Sequence, residues 1–293
     1  MNPGLDALIY PRSSAELLAN DAAGEPFVVH GRKDSITALT ELPHLASLDW
    51  LLRSWPDQVQ AYLPDVADEA SSILTSPHDA RKLFANGSGL LFNDVNTVAP
   101  QLVAWLDGIR RDLGLSSLTQ GRCLIYATPK GKGTAPHFDQ NLNLVLQLHG
   151  TKTWWLAPNR HVERPMTRYT MGLPMDPEMQ TYATTPMPRT MPADRLAIVL
   201  EPGSVLFVPR GVWHSTDASE DAVSLNFTYS APTWIDLLTA ALRSRLALSS
   251  AWRETAAPRS PAIFAELLRE LADDASHWTA TDILTATEDD PQA

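Results

Sequence analysis

A single cysteine, Cys123, occurs in 293 residues, so no internal disulfide can form, in agreement with a reducing compartment. No stretch approaches the roughly 20 consecutive apolar residues that a membrane-spanning helix requires. The opening "MNPGLDALIYPRSSAELLAND" lacks the basic n-region and unbroken apolar run of a secretory signal, and a cytoplasmic protein with no membrane partner is expected. Positive charge is scarce: 23 Lys and Arg stand against 34 Asp and Glu, a formal net charge of −11. A nucleic-acid surface needs clustered cations, so no nucleic-acid partner is expected. Repeats, low-complexity tracts and a Ser-His-Asp arrangement are also missing. "NGSGLLFNDVN" (86–96) has glycines without the spacing of a phosphate loop and reads as a turn. Asp68 and Glu69 read as a solvated face.

What is abundant is core material. Hydrophobic residues make up 44% of the chain, with nine Trp, enough for one large core or one core with a helical appendage. "PFVVHG" (26–31) predicts a short strand, and residues 35–55 predict two short helices around Pro43. In "APQLVAWLDGIRRDLGL" (99–115), Leu102, Val103, Trp105, Leu106, Ile109 and Leu113 make one apolar stripe of an amphipathic helix. From about residue 120 the period becomes that of strands: "RCLIYAT", "NLVLQLH", "TKTWWLA", "AIVLEPGSVLFVPR" and "AVSLNFTYS". Such runs without helices between them predict an antiparallel barrel or a double-sheet jelly roll. Cys123, inside the first run, reads as a buried packing residue.

After Pro232 the helical period returns in "TWIDLLTAALRSRLALSSAWRET" and "PAIFAELLRELADDASHW", ahead of an acidic "TATEDDPQA". The expected organisation is an N-terminal helical and strand segment (1–118), a β core (119–232) and C-terminal helices (233–293) whose apolar stripes need cover, which points to a homodimer. Residues 159–195 follow neither period. They hold six of the seven methionines, with five prolines between 165 and 188. Such a segment is either an adaptable surface for a ligand or peptide or a loosely ordered cover for the sheet.

The chemistry concentrates in "GTAPHFDQNLNLVLQLHGTKTWW" (133–155). His137 and Asp139 are two residues apart, so on a strand both side chains project from one face and can reach one ion. A further histidine, His214, follows a strand closed by the turn in "VPRGVWH". Two imidazoles and one carboxylate on one side of a metal suit ferrous iron that must also hold a cosubstrate and dioxygen. Lys152 lies within a strongly apolar run, where its charge is costly unless paired. A dicarboxylate cosubstrate would pair it, and the alternative is an outward position on an edge strand. His149 and His161 read as turn or surface residues, with a ligand role as the alternative.

"GTAPHFDQNLNLVLQLHGTKTWWLAP", "LEPGSVLFVPRGVWHST" and "SLNFTYSAPTW" together resemble the JmjC-type cupin oxygenases over roughly residues 85 to 250. The sequence is most similar to the ribosomal-oxygenase branch, with a second likeness to the asparaginyl hydroxylase that acts on hypoxia-inducible factor. The resemblance implies a double-stranded β-helix (jelly-roll, cupin) core that is mainly β, flanked by N-terminal and C-terminal helical segments. It implies dependence on Fe(II), 2-oxoglutarate and dioxygen, with His137, Asp139 and His214 as iron ligands and Lys152 on the distal carboxylate of 2-oxoglutarate. Thr134 matches a hydroxyl that assists that lysine, Asn143 and Asn226 match polar pocket residues, and Tyr126 lies near a family tyrosine.

Departures shape the expected substrate. Ribosomal oxygenases carry a winged helix after their dimerisation region, whereas about sixty residues follow Pro232 here, which implies that the winged helix is absent or reduced. Histone demethylases of the family commonly have Glu where Asp139 stands, so hydroxylation without demethylation is implied. The expected activity is hydroxylation of an amino-acid side chain in a peptide or protein. The alternatives are the same chemistry on a free amino acid or small natural product, a zinc or manganese cupin enzyme without 2-oxoglutarate, and a cupin-like binding module without catalysis.

Overall fold

A computed structural model describes residues 2–31, 36–63, 71–256 and 261–285. Asp68, Glu69 and nearly all of the acidic tail lie outside the described residues. The chain divides into two compact units, one of residues 1–115 with 120–230 and one of residues 116–119 with 231–293.

The strands of the first unit, in chain order, are β1 Phe27–His30, β2 Val59–Tyr62, β3 Ser72–Thr75, β4 Leu90–Phe92, β5 Gln120–Thr128, β6 Gly133–Phe138 and β7 Leu142–His149. They continue with β8 Lys152–Ala157, β9 Tyr169–Thr170, β10 Leu196–Leu200, β11 Ser204–Val208, β12 Trp213–Ala218 and β13 Ala222–Ser230. An eight-stranded sheet runs β1-β11-β7-β13-β5-β4-β2-β3 and a five-stranded sheet runs β10-β8-β12-β6-β9. Every strand pairing among the described residues is antiparallel, from β1 on β11 to β6 on β9. This is the jelly-roll architecture that the β-rich runs predict, with helices around it.

Strand alternation sorts the side chains. On β13, Val223, Leu225, Phe227 and Tyr229 join the main core, together with Cys123, Ile125 and Ala127 of β5 and Leu144, Leu146 and Leu148 of β7. The N-terminal helices and the helix Gln101–Asp112 supply the rest of that core through Leu5, Leu17, Leu102, Trp105 and Ile109. The intervening residues of the same strands, Tyr126, Asn143, Ser224 and Asn226, line a cavity instead. A period of two therefore gives each strand one structural face and one functional face.

Four expectations are corrected. Val103 is 44% exposed, because it sits one residue, about 100° of helix, away from Leu102 and off the buried stripe. Residues 86–96 contain more than a turn, since β4 there joins β2 to β5. The region around Pro43 forms three short pieces, Thr37–Thr40, Pro43–Leu45 and Leu48–Ser54, because proline cannot continue the preceding helix. Residues 159–195 are an ordered part of the unit. They contain β9 and the helix Pro177–Tyr182, and Val162, Tyr169 and Met179 pack on Phe138, Ala157 and Trp213. The other five methionines of the segment are half-buried.

In the second unit, the helix Trp234–Leu246 begins with a capping box between Thr233 and Asp236. The helix Pro261–Ala275 has no buried residue, and Arg245 makes two bonds of 2.6 Å to Asp274. Among the described residues no helix is long and apolar enough to cross a membrane.

Candidate metal centre

His137 is the penultimate residue of β6, with its side chain buried, Asp139 lies just past the end of that strand, and His214 is the second residue of β12. Because β12 pairs with β6, His214 sits directly opposite His137, with ring centroids 4.1 Å apart. Asp139 Oδ2 lies 3.6 Å from His214 Nε2. One ligand atom from each of the three residues falls within 4.8 Å of the others, close enough to meet on one ion.

Backbone carbonyls set both imidazole tautomers. His137 Nδ1 is 2.7 Å from Ala135 O and His214 Nδ1 is 2.9 Å from Val212 O. Since a carbonyl only accepts, Nδ1 carries a proton in each ring, which leaves Nε2 as the nitrogen that a metal can take. Asp139 is fixed by a relay: Thr228 Oγ1 donates to Asn143 Oδ1 at 2.8 Å, which turns the Asn143 amide so that Nδ2 donates to Asp139 Oδ2 at 3.1 Å. Removing an outer partner of a ligand typically costs about 10–100-fold in metal affinity. Asn143→Ala is accordingly expected to weaken Mn(II) binding by about that factor, measured by calorimetry, and an unchanged affinity would remove Asn143 from the centre.

A cavity opens beside these ligands. Lys152 lines it from β8, which lies between β10 and β12 rather than at the edge. The outward alternative is thereby corrected: Lys152 is 3% exposed. Burial pulls its ammonium down to about 8 from the usual lysine value. Among the described residues it forms no ion pair, so an anionic ligand would supply its missing partner.

Two further buried groups on the cavity wall, Asn226 Oδ1 and Trp154 Nε1, have no hydrogen-bond partner among the described residues. A hydrogen-bonding ligand suits this wall better than an apolar one. The donor set, two imidazoles and a carboxylate beside a buried cation, fits a divalent metal with a carboxylate cosubstrate.

Thr134 also lines the cavity, its hydroxyl 3.0 Å from Thr216 Oγ1. Strict alternation would put Thr134 and His137 on opposite faces. A bulge prevents this: the facing residues His214 and Thr216 are two apart on β12, whereas His137 and Thr134 are three apart on β6. Tyr126 lines the same wall. His149 and His161 are structural, with His149 Nε2 2.9 Å from Leu45 O and His161 Nδ1 2.7 Å from Thr185 Oγ1.

Local reasoning missed several residues. Trp154 stacks on His214 at 5.6 Å, and Thr216 faces the cavity. Both stand two residues from a recognised site residue, so strand period alone would have found them. Tyr62, Gly87 and Gly89 bring the N-terminal segment to the cavity wall, and a Cβ on Gly89 would sit 2.8 Å from the Tyr62 ring. Arg168, from the methionine-rich segment, lines the cavity with its Nε 3.9 Å from Asp139 Oδ1. No sequence signal marks Arg168, because the contact spans an aperiodic segment.

Comparison with known proteins adds a lineage. Residues 103–237 match the model of the JmjC domain. The sequence is 31% identical over 258 residues to the uncharacterized protein YxbC of Bacillus subtilis (strain 168), covering 86% of this chain and 78% of that one. It is 30% identical over 173 residues to ribosomal oxygenase 1 of Rattus norvegicus, covering 57% of this chain but only 26% of the relative. YcfD of Escherichia coli superimposes with a TM-score of 0.56 at 16% identity, over 93% of this chain and 70% of that one. At that identity the likeness is one of fold.

Proposed function

Since the chain belongs to the JmjC-domain family, we propose that it is an Fe(II)- and 2-oxoglutarate-dependent oxygenase that hydroxylates an amino-acid side chain in a peptide or protein. The observation that carries this reading is the pairing of a His137–Asp139–His214 cluster with a buried lysine on the wall of one cavity. Iron(II) with dioxygen and 2-oxoglutarate supplies oxidation of an unactivated C–H bond, the cosubstrate leaving as succinate and carbon dioxide.

The protein's own groups do the rest. His137 and His214 offer Nε2 lone pairs fixed by their backbone partners, and Asp139 offers a carboxylate steadied by Asn143. Lys152, buried on the cavity wall, would hold the distal carboxylate of 2-oxoglutarate. Trp154 Nε1 and Asn226 Oδ1, which have no hydrogen-bond partner among the described residues, complete the polar wall, while Thr134 and Thr216 bind one another beside it. The buried ring of Trp154, stacked on His214, limits water at the metal side. Relatives named ribosomal oxygenase favour a protein substrate.

The decisive experiment supplies anaerobically purified protein with Fe(II), 2-oxoglutarate and air, and follows succinate by NMR. Succinate formed in step with 2-oxoglutarate loss supports the oxygenase. Protein that binds neither Fe(II) nor 2-oxoglutarate would overturn it in favour of a binding module.

The same reading includes a homodimer through the C-terminal helices. Trp234 is 80% exposed, and Leu238, Ile263, Phe264 and Leu268 are exposed on these helices as well, an apolar display that a second copy would cover. Light scattering is expected to give twice the 32.2 kDa chain mass, and a monomer would contradict the assignment.

A further inference from the structure

The methionine-rich segment is tied to the metal-ligand strands at three points. First, β9 pairs with the end of β6, placing Thr170 opposite His137 and Tyr169 opposite Phe138, and Met171 N donates to Pro136 O at 2.8 Å. Second, Arg210 lies in the turn between β11 and β12, four residues before His214. It donates from Nε to Pro165 O at 2.8 Å and from a terminal nitrogen to Arg164 O at 3.2 Å. Third, the next residue, Gly211, has a φ of +85°, and an added Cβ would lie 2.9 Å from Pro165 Cδ, so the segment rests directly on this turn.

The turn in turn grips the ligand, because Gly211 N donates to Asp139 O at 2.9 Å. Arg164 takes a left-handed backbone with a φ of 49°, a conformation that a non-glycine residue keeps only where surrounding contacts hold it. The held segment then delivers Arg168, three residues beyond Pro165, to Asp139 Oδ1. The opposite oxygen, Oδ2, faces Asn143 and His214. Oδ2 thus accepts a hydrogen bond from the barrel, while Oδ1 faces the segment's cation at ion-pair distance, 3.9 Å.

We propose that Arg210 and Arg168 act in series as positioning residues: Arg210 docks the methionine-rich segment on the turn before His214, and the docked segment places Arg168 so that it orients Asp139 for the metal. The inference rests on the metal reading for its second step only. The docking step concerns the protein alone. The chemistry suits arginine, whose planar fork reaches two carbonyls at once, whereas the lysine ammonium is a point donor on a flexible stem.

The test uses the full chain and four forms: wild type, Arg210→Met, Arg168→Met and the double variant. Amide hydrogen exchange without metal reads docking. Arg210→Met is expected to speed exchange at residues 166–171 at least tenfold, while amides of β7 and β13 keep their protection. Unchanged exchange in that segment, or loss of protection throughout the barrel, would overturn the docking step.

Mn(II) affinity, measured by calorimetry, reads the second step. Each single variant is expected to lose about 10–100-fold, the usual effect of removing an outer partner, with Arg168→Lys recovering most of it. The double variant should be no weaker than the worse single one, since residues acting in series are not additive. Additive losses, or an Mn(II) affinity that ignores Arg168, would overturn the relay. Failure of the wild type to bind Mn(II) would overturn the metal reading and the second step while leaving the exchange result to decide the first.

Discussion

Lys152→Ala is expected to raise the Kd for 2-oxoglutarate by about 30- to 4,000-fold. Truncating one partner of a buried charge pair costs about 2–5 kcal/mol, and each 1.4 kcal/mol is tenfold. Lys152 is the place for such an effect because it is 3% exposed and has no ion-pair partner among the described residues. Lys152→Met adds a second and opposite readout. The fall from 10.5 to about 8 in the folded protein corresponds to about 3 kcal/mol at 1.36 kcal/mol per pH unit, a cost borne by the ligand-free fold at neutral pH. Replacing the cation with an apolar chain of similar length should therefore stabilise the ligand-free protein to urea by up to about 3 kcal/mol, while cosubstrate binding is lost.

The pH dependence follows with the same sign. Between about pH 8 and 10.5 the unfolded chain holds the Lys152 proton and the folded one does not, so this group makes ligand-free stability rise with pH across that window. Binding of a dianion requires the proton, so 2-oxoglutarate affinity should be level below about pH 8 and fall above it. Calorimetric titrations across that range check both the level region and the fall. An affinity untouched by Lys152→Ala would remove the lysine from the cosubstrate site even if the metal bound.

Asp139→Ala is expected to abolish 2-oxoglutarate turnover and to weaken Mn(II) binding by more than the 10–100-fold that loss of an outer partner brings, since here a ligand itself is removed. In the wild type, Mn(II) at about 100 times its Kd should stabilise the fold by about 2.7 kcal/mol. The variant should show no such gain in a urea titration. Asp139→Asn serves as the control for folding, because its side-chain oxygen can still accept from Asn143 Nδ2 while its charge is gone. It should unfold like the metal-free wild type and still fail to bind the ion. Succinate formation at the wild-type rate in Asp139→Ala would refute the assignment of this centre.

Much of the outcome was legible in the order of residues. A period of two is a local property, so the runs from Gln120 to Ser230 announced an antiparallel β core, and the same period put His137 and Asp139 within reach of one ion. Lys152 stood out for a local reason as well, as a charge among apolar neighbours. The helix Gln101–Asp112 and its buried stripe were equally plain, apart from Val103.

Tertiary structure decided what local pattern cannot carry. It set Lys152 in a central strand, because edge or centre depends on which strands pair, and β10 and β12 come from more than forty residues downstream. The β6 bulge re-aimed Thr134 by one residue, a shift that strict alternation does not express. It turned Asn143 toward Asp139 through Thr228, and brought Tyr62 and Gly89 to the cavity wall. Above all, it ordered the methionine-rich segment, whose side chains have no period of their own and pack only because Phe138, Ala157 and Trp213 offer them an apolar floor. Chemistry with local spacing was determined by the sequence, while orientation, pairing and the reach of Arg168 were fixed only when distant strands closed on one another.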